Sequence, residues 1–396
     1  MKEKFLKWCG FLLLTTISIS IAWMITVSIG ADISSLEIFK PTDKKGDFRI
    51  TDIYNAVEKN NYDAIGGAPL SEHVIIVSVD NMDRLETLNT INKVAQFKPS
   101  AIGLDFPFED SVLHRDYLLH TVLFNNSIVS ATKVEYVKDS SYFRRNYLSF
   151  YESEFPSAHV GYVNIDADYT WNVIRTFHPF VLGAQGDTLT SMVLELAKLA
   201  NPERAQKLLS RHNETEIIDF VSHKIEVLPP SMLDREDIAS KIEGKAVLIG
   251  DTAYAPDIRM TPLHEPMAGI LVHAYSLQTV LEDSYIDYWP SWKIWSITLI
   301  LTIGFLFVLW RARGKSDSGN WIIRMSQFGF MFLLVLWGCY TFSADHEYAD
   351  FTMSITMLGF SALTFDLTFA LIGLGKWCVA KTEWIKNKIN SRKKKK

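Results

Sequence analysis

The sequence predicts an α/β domain, with a mostly parallel sheet covered by helices, together with four transmembrane α-helices. Two patterns lead to this fold class. Four apolar stretches are each long enough to cross a bilayer. Between the first and the second stretch, short apolar runs rich in β-branched residues alternate with segments of helical periodicity, which is typical of strands and helices that alternate along the chain.

The apolar stretches are nearly free of charge. Residues 10–30, 294–310 and 325–344 contain no charged side chain, and residues 351–375 contain one acid, Asp366. Because runs of roughly 17–25 apolar residues match the hydrocarbon core, we predict transmembrane helices at 10–30, 291–310, 325–344 and 351–375. A cleaved signal peptide is the alternative for the first. Its apolar run exceeds the usual signal core of about 7–15 residues, which favours a retained anchor.

Basic residues predict the orientation of these helices. They cluster before the first stretch, between the second and third, and after the fourth, whereas the turn at 345–350 has three acids and no Lys or Arg. Cytoplasmic loops carry the excess of Lys and Arg. We therefore predict cytoplasmic segments at 1–9, 311–324 and 376–396, an extracytoplasmic turn at 345–350, and an extracytoplasmic domain at 31–290.

The outer domain is acidic. Residues 30–292 contain 23 Lys and Arg and 38 Asp and Glu, a net charge of −15, whereas the whole chain carries −5. This charge argues against nucleic acid or anionic lipid as the ligand of the domain. It is compatible with cations, with basic partners, or with simple solubility. The three cysteines, Cys9, Cys339 and Cys378, all lie in or beside predicted spans, so we expect no disulfide and no thiol chemistry in the domain.

Three apolar runs in the domain each end at an aspartate: 74–79 at Asp80, 101–104 at Asp105, and 246–250 at Asp251. Continuous β-branched runs are typical of strands buried on both faces, as in a parallel sheet. We also predict helices at 82–96, 112–125 and 189–199, strands at 128–134, 161–165 and 177–182, and a long structured loop at 256–269.

The three strand-end aspartates are candidate site residues. Ligands of parallel sheets usually bind beyond the carboxyl ends of the strands, where an acidic cluster could hold a hydrated divalent cation or a small polar ligand. Asp is also a preferred helix cap. Because Asp80 and Asp251 fit that role, capping is the preferred interpretation, and we predict no metal ion and no cofactor.

The sequence shows no Gly-rich phosphate loop, no His-Glu-x-x-His pair and no Gly-x-Ser-x-Gly elbow. We therefore expect no enzymatic activity. His273 lies in an apolar stretch of helical periodicity, where a histidine at the edge of the core is favoured over a ligand.

Several segments resemble the second type of CHASE domain, the cyclase/histidine-kinase-associated sensory extracellular domain, over about 35–288. They are Val74–Asp80, Ala101–Phe108, Gly161–Asp166 and Lys245–Ala253, continued by Asp257, Thr261, Pro262, Gly269 and His273. The resemblance implies a bacterial extracytoplasmic sensor, usually attached to a cytoplasmic cyclase or kinase. With the resemblance, the candidate ligand-binding residues become Asp80, Asp105, Asp251, Asp257 and Thr261. In one departure, Ile217–Val221 replaces the aromatic-Arg-Gly-like strand usual in the family.

Only 21 residues, 376–396, follow the last predicted span, which is too few for such a catalytic domain. We therefore expect a bacterial inner-membrane sensor that relays a signal to a separate effector protein. The alternative is a structural scaffold or oligomerising subunit of a cell-envelope complex, and a homo-oligomer is compatible with either.

The basic tail at 376–396 and the intramembrane Asp366 are two further features of the predicted membrane part. The basic tail is expected to lie on the anionic membrane surface. Asp366, an acid at lipid depth, is expected to pair with a polar neighbour such as Thr302 or Ser326 or with another subunit, or to act as an ion contact.

Overall fold

The computed structural model describes residues 2–30, 50–106, 128–136, 143–145, 159–165, 173–183, 186–263, 265–312 and 317–393. The chain forms two compact units. One, the sheet domain, comprises residues 52–287 apart from the undescribed positions. The other, the membrane unit, comprises the N-terminal helix and residues from 288 onward. The helix predicted at 112–125 lies outside the described residues.

The described helices, in chain order, are α1 (Lys2–Gly30), α2 (Ile50–Ala64), α3 (Arg84–Gln96), α4 (Met192–Ala200), α5 (Pro202–Ser210), α6 (Ile238–Ile242), α7 (Gly269–Glu282), α8 (Ser291–Ala312), α9 (Asp317–Asp345) and α10 (Thr352–Lys393). Two short 3₁₀ segments are Pro230–Asp234 and Ala255–Asp257.

The described strands are β1 (Leu70–Ser78), β2 (Ala101–Leu104), β3 (Ile128–Thr132), β4 (Val134–Tyr136), β5 (Phe143–Arg145), β6 (His159–Tyr162), β7 (Thr176–Phe177), β8 (Phe180–Leu182), β9 (Thr188–Thr190), β10 (Glu216–Ile217), β11 (Lys224–Leu228), β12 (Ala246–Gly250), β13 (Ile258–Met260), β14 (Pro266–Ala268), β15 (Asp287–Tyr288) and β16 (Glu347–Tyr348).

Six of these strands form one parallel sheet in the order β11-β1-β12-β2-β3-β6. β12, which comes last in the sequence among these six strands, lies between β1 and β2. The connection from β1 to β2 through α3 therefore crosses over β12. The sheet confirms the predicted α/β class. It also brings the carboxyl ends of β1, β12 and β2 side by side, because all strands run in the same direction.

Side chains alternate between the two faces of the sheet, and helices cover both. Val74 and Ile76 of β1 belong to a core with α4, α5 and α7. Ile75 and Val77 belong to a second core with α3 and α6. Each face of the central strands is therefore buried, which is why these strands are apolar throughout.

Two regions differ from the prediction. Residues 256–269 are not only a loop, because β13 and β14 pair there as an antiparallel hairpin. Pro266 is the first residue of β14, a place where a strand tolerates proline. The strand predicted at 177–182 is divided at Pro179 into β7 and β8, which pair with β10 and β9 outside the main sheet.

The membrane unit contains four helices long and apolar enough to cross a membrane, with spans at 8–25, 291–312, 323–345 and 352–385. Polar contacts join them: the Thr298 and Ser354 hydroxyls are 2.6 Å apart, and the Thr364 hydroxyl donates to the Ser18 carbonyl at 3.0 Å. Such hydroxyl contacts are typical of packed transmembrane helices. These helices confirm the second part of the predicted fold class.

Asp366 accepts a hydrogen bond from the guanidinium of Arg324, with which it forms an ion pair. The prediction named a polar neighbour such as Thr302 or Ser326, or another subunit, and the structure corrects it to a basic residue of the same chain. The Ser326 hydroxyl instead donates to the Ile323 carbonyl at 2.6 Å. Arg324, predicted in a loop, lies inside α9. An opposite charge stabilises a carboxylate in an apolar setting more effectively than a hydroxyl does.

Candidate ligand-binding cleft

A cleft with a volume of about 850 Å³ opens at the carboxyl edge of the sheet. Its walls come from residues that directly follow the strands, from the start of α3, from α7 and from the β13 region: Val79, Met82, Arg84, Thr87, Asp105, Phe106, Lys133, Val163, Asn164, Ile165, Asp251, Tyr254, Pro256, Asp257, Arg259 and His273. The volume falls in the range of about 300–1,000 Å³ typical of small-molecule sites.

Asp105 follows β2, and its side chain is 9% exposed. Its backbone N–H donates to the Ile249 carbonyl at 2.9 Å, which fixes the residue to β12. A Cβ on Gly250 would lie 2.9 Å from the Asp105 Cβ, so the glycine makes room for this side chain. Burial and the nearby Asp257 raise the pKa of Asp105 well above its usual value, and Lys133 only partly offsets this rise.

Among the described residues no hydrogen-bond donor meets the Asp105 carboxyl group. The nearest polar atom that the structure pairs with it is Nε2 of His273, at 3.9 Å, which is too far for a hydrogen bond. The cleft therefore contains a buried carboxyl group whose hydrogen-bonding capacity the described residues leave unused.

Asp257, the last residue of the 3₁₀ segment Ala255–Asp257, also lines the cleft. Its carboxylate accepts from the backbone N–H of Gly269, the first residue of α7, and is 3.3 Å from Nη2 of Arg259. A side chain at position 269 would collide with this carboxylate. Burial raises the pKa of Asp257, while Arg259, the Gly269 amide and Lys133 counteract the rise.

His273 is buried on α7, as its apolar surroundings in the sequence indicated, and it also lines the cleft. Its Nε2 lies 3.2 Å from the Val163 carbonyl. Burial lowers the pKa of His273 to about 4, with a smaller lowering effect from Arg259 and an opposing effect of the bond to Val163. The imidazole is therefore neutral at neutral pH.

The structure separates the five predicted site residues. Asp105, Asp251 and Asp257 line the cleft, whereas Asp80 and Thr261 are not among its lining residues. The Asp80 carboxylate accepts hydrogen bonds from the Thr252 amide at 2.6 Å and the Thr252 hydroxyl at 2.8 Å. Thr261 is fully buried.

The predicted capping holds for Asp251 and is wrong for Asp80. The N-cap of α3 is Asp83, whose side chain accepts from the Glu86 amide at 2.9 Å, whereas Asp80 binds the distant Thr252. Burial raises the pKa of Asp80, but the bonds from Thr252 and Ser78 outweigh burial, and the net pKa lies below the usual value. Asp251 accepts from the Ala253 amide at 2.7 Å while it lines the cleft. In the part of the chain that the structure describes, no group of three or more His, Cys, Asp or Glu residues has metal-site geometry.

Sequence reasoning missed the basic half of the cleft, which consists of Arg84, Lys133 and Arg259. Lys133 directly follows β3, and Arg84 begins α3, the helix after β1. The rule that found the aspartates would have found Lys133 if it had been applied to every polar residue at a strand end. With three acids and three bases, the described part of the lining is formally balanced, in contrast to the acidic domain around it.

A parallel α/β domain with a ligand-sized polar cleft, in a chain with four membrane-spanning helices, defines a multi-pass membrane protein with a receptor-like domain. Residues 55–309 match the family model of the CHASE2 domain, and the chain belongs to this family. The family's domain is a sensory extracellular domain, so the chain fits a membrane sensory protein. No curated protein and no solved structure matches the chain.

Proposed function

We propose that this protein senses a small polar molecule, that the cleft at the carboxyl edge of the sheet is its ligand site, and that the signal passes to a separate protein. The observation that carries the proposal is the buried carboxyl group of Asp105 in the cleft, with no donor to it among the described residues. Burying a polar group without a partner costs free energy. Perturbed and unsatisfied groups in clefts are typical of functional sites.

Two hydrogen-bonded contacts that are connected through the backbone support a relay away from the cleft. Arg259, which lines the cleft, lies on β13, and the carbonyl of the next residue, Met260, accepts from the Ile174 N–H at 2.8 Å. The residue after Ile174 is Arg175, whose guanidinium binds Asp52 on α2. In the chain α2 follows α1, a candidate membrane span. A ligand that moves Arg259 would thus act on a segment bound to α2.

We infer that the protein lies in a bacterial inner membrane, with both termini cytoplasmic and the sheet domain periplasmic. The excess of basic residues at 1–9, 311–324 and 376–396 supports this orientation. Membrane-impermeant thiol labelling tests it after the native cysteines are replaced. A cysteine at Glu236, which is exposed in the sheet domain, should be labelled in intact spheroplasts, and one at Glu383 only after lysis. The reverse pattern would overturn the orientation.

The proposed receiver of the signal is a separate effector protein, and the chain itself is proposed to have neither enzymatic activity nor a nucleic-acid partner. Chemical cross-linking in native membranes followed by purification tests the receiver. A specific cross-linked protein, recovered in amounts that change when periplasmic extract is added, would support the relay. Repeated recovery of the chain alone, unchanged by the extract, would contradict it.

The role of the cleft is tested by thermal unfolding of the full chain with a library of amino acids, sugars, organic acids and polyamines. A ligand that binds the folded state raises Tm. The test variant is Lys133→Glu, at an exposed cleft position, and the control is Lys224→Glu, at an exposed position where β11 begins. We expect a compound whose Tm shift changes in Lys133→Glu and persists in Lys224→Glu. No shift with any compound, or equal shifts in both variants, would contradict the proposal and favour a scaffold role.

A further inference from the structure

We propose that the cleft takes a small zwitterion, whose ammonium group binds Asp105 and whose anionic group binds Lys133 and Arg259. This inference rests on the proposed function of the cleft as the ligand site, and it adds the chemical class of the ligand. The groups that select this ligand are side chains of the lining whose bonding capacity the described residues leave unused.

The three acids of the lining differ in how many hydrogen bonds they already accept. Asp257 is occupied by the Gly269 amide and Arg259, and Asp251 accepts from the Ala253 amide. Asp105 accepts no hydrogen bond from any described residue, although its side chain is more than nine-tenths buried and lines the cleft. Of the three lining acids, Asp105 is therefore the one left to meet a ligand.

The carboxyl group of Asp105 is suited to bind an ammonium group. An ammonium group brings three donors and a full positive charge, and charge-assisted hydrogen bonds of this type are stronger than neutral ones. The neighbouring His273 is neutral at neutral pH, because burial lowers its pKa to about 4, and so it supplies no competing positive charge. Lys133 offsets the effect of burial on Asp105 only in part, so an ammonium group of a ligand can supply further positive charge beside it.

Two basic side chains of the lining, Lys133 and Arg259, have hydrogen-bond donors that the described residues do not use. Lys133 is exposed at the cleft and forms no ion pair with the described residues. In Arg259, Nη1 donates to the Pro256 carbonyl at 2.9 Å and Nη2 is close to Asp257, but the buried Nε has no hydrogen-bond partner in the described part of the chain. Both side chains therefore have donors that a carboxylate or another anionic group would accept.

The balance of charge distinguishes a zwitterion from an ion of one sign. The described residues of the lining include three acids and three bases. An anion would place negative charge near Asp105, Asp251 and Asp257. A cation without an anionic group would leave Lys133 without an ion pair and Nε of Arg259 without an acceptor among the described residues, and both side chains would repel it. Only a ligand with both charges complements both halves of the lining.

The experiment compares matched probes on the full chain by thermal unfolding. The zwitterions are the linear amino acids from glycine to 6-aminohexanoate together with L-α-amino acids, and the single-charge analogues are the corresponding alkylamines and alkanoates. We expect at least one zwitterion to raise Tm clearly more than its amine and its carboxylate analogue do at equal concentration. Titration calorimetry of that zwitterion should show affinity weaker by about tenfold or more in Asp105→Asn and in Lys133→Met.

The control is Glu236→Gln, an acid-to-amide change at an exposed position outside the cleft, which should bind as wild type does. Calorimetry in two buffers of different ionisation enthalpy adds a second readout, since an ammonium group that binds Asp105 should release a proton from the carboxyl group. Absence of any zwitterion-dependent shift, or unchanged affinity in Asp105→Asn, would overturn the inference. If a sugar or an ion of one sign gives the Lys133-dependent shift instead, the cleft remains a ligand site and the zwitterion class is wrong.

Discussion

The guanidinium of Arg175 donates two hydrogen bonds to the carboxylate of Asp52, from Nε to Oδ1 at 2.7 Å and from Nη2 to Oδ2 at 2.6 Å. The two side chains are 6% and 0% exposed, so the pair is buried. The residues are 123 positions apart in the sequence. This pair fastens α2, at the start of the sheet domain, to the segment that is hydrogen-bonded to the β13 strand of the cleft.

Replacing Arg175 with Met should destabilise the sheet domain by about 3–5 kcal/mol, because it removes the positive charge that neutralises a buried carboxylate. Denaturant unfolding of the full chain measures this loss. The double variant Asp52→Asn/Arg175→Met should lose less than the sum of the single changes. The control is Arg235→Met, whose pair with Asp237 lies at the surface and should have no measurable effect. Equal behaviour of Arg175→Met and Arg235→Met would contradict this account of the pair.

Asp105→Asn should stabilise the domain at neutral and alkaline pH. The pKa of Asp105 is raised in the folded state by burial and by Asp257. The folded chain therefore keeps a proton on Asp105 that the unfolded chain releases above about pH 3.8. The carboxyl group therefore costs stability as pH rises above that value. Unfolding at pH 5 and pH 8 should show a larger gain from Asp105→Asn at pH 8. A gain that does not grow with pH would contradict the account.

His273 predicts an opposite dependence on pH. Its folded-state pKa is about 4 because of burial, below the ordinary value of 6.5. The unfolded chain therefore binds a proton, as pH falls through this window, that the folded chain does not. The contribution of the neutral His273 to the free energy of unfolding is fully present above pH 6.5. It falls by about 3 kcal/mol as the pH is lowered to about 4. His273→Gln should flatten this fall in unfolding experiments, whereas the exposed control His212→Gln should keep it.

Gly250→Ala should disturb the position of Asp105. The added Cβ would lie 2.8 Å from Cδ1 of Ile270 and 2.9 Å from Cβ of Asp105, and the second atom is tied closely to its backbone. We expect destabilisation by about 1–3 kcal/mol through overpacking, together with a weaker response to any cleft ligand. The control is Gly304→Ala, where nothing lies within 4 Å of the new atom. Unchanged ligand response in Gly250→Ala would contradict the geometry assigned to Asp105.

The pair of Arg324 and Asp366 should matter for insertion and stability in the membrane. Asp366→Asn removes the charge opposite Arg324, the second residue of the 323–345 span, and leaves this guanidinium without the counter-charge of Asp366. We expect lower amounts of folded Asp366→Asn in membranes, measured by fluorescence-detected size exclusion. The double variant Arg324→Gln/Asp366→Asn should recover part of the loss. A double variant that accumulates less than either single variant would contradict the ion-pair explanation.

The elements that the sequence predicted best are those whose residues are buried on both sides. Val74–Val79 and Ala246–Gly250 are apolar throughout because helices cover each face of the sheet, so their type and their parallel arrangement follow from composition. The position of β12 between β1 and β2 did not follow, since strand order depends on packing between segments far apart in the chain. The Arg175–Asp52 pair was missed for the same reason.

Half of the cleft could be predicted, and for a physical reason. Asp105 and Asp251 end apolar strands and so are conspicuous in the sequence, and parallel strands bring such ends together. Asp80 ends a strand too, but the Thr252 amide and hydroxyl bind its carboxylate, a contact between residues 172 positions apart. Arg259 was assigned to a loop because the surrounding prolines concealed the β13–β14 hairpin.

Hydrogen–deuterium exchange of the full chain, with and without a compound that raises its Tm, tests the central claim most directly. If the cleft at the carboxyl edge of the sheet is the sensing site, the compound should slow exchange in peptides that cover 79–87 and 251–260, which hold Asp251 and Arg259. Peptides that cover the start of β11, at 222–226, serve as the internal control and should not change. Protection confined to peptides outside the cleft, or no protection in either cleft segment, would contradict the account.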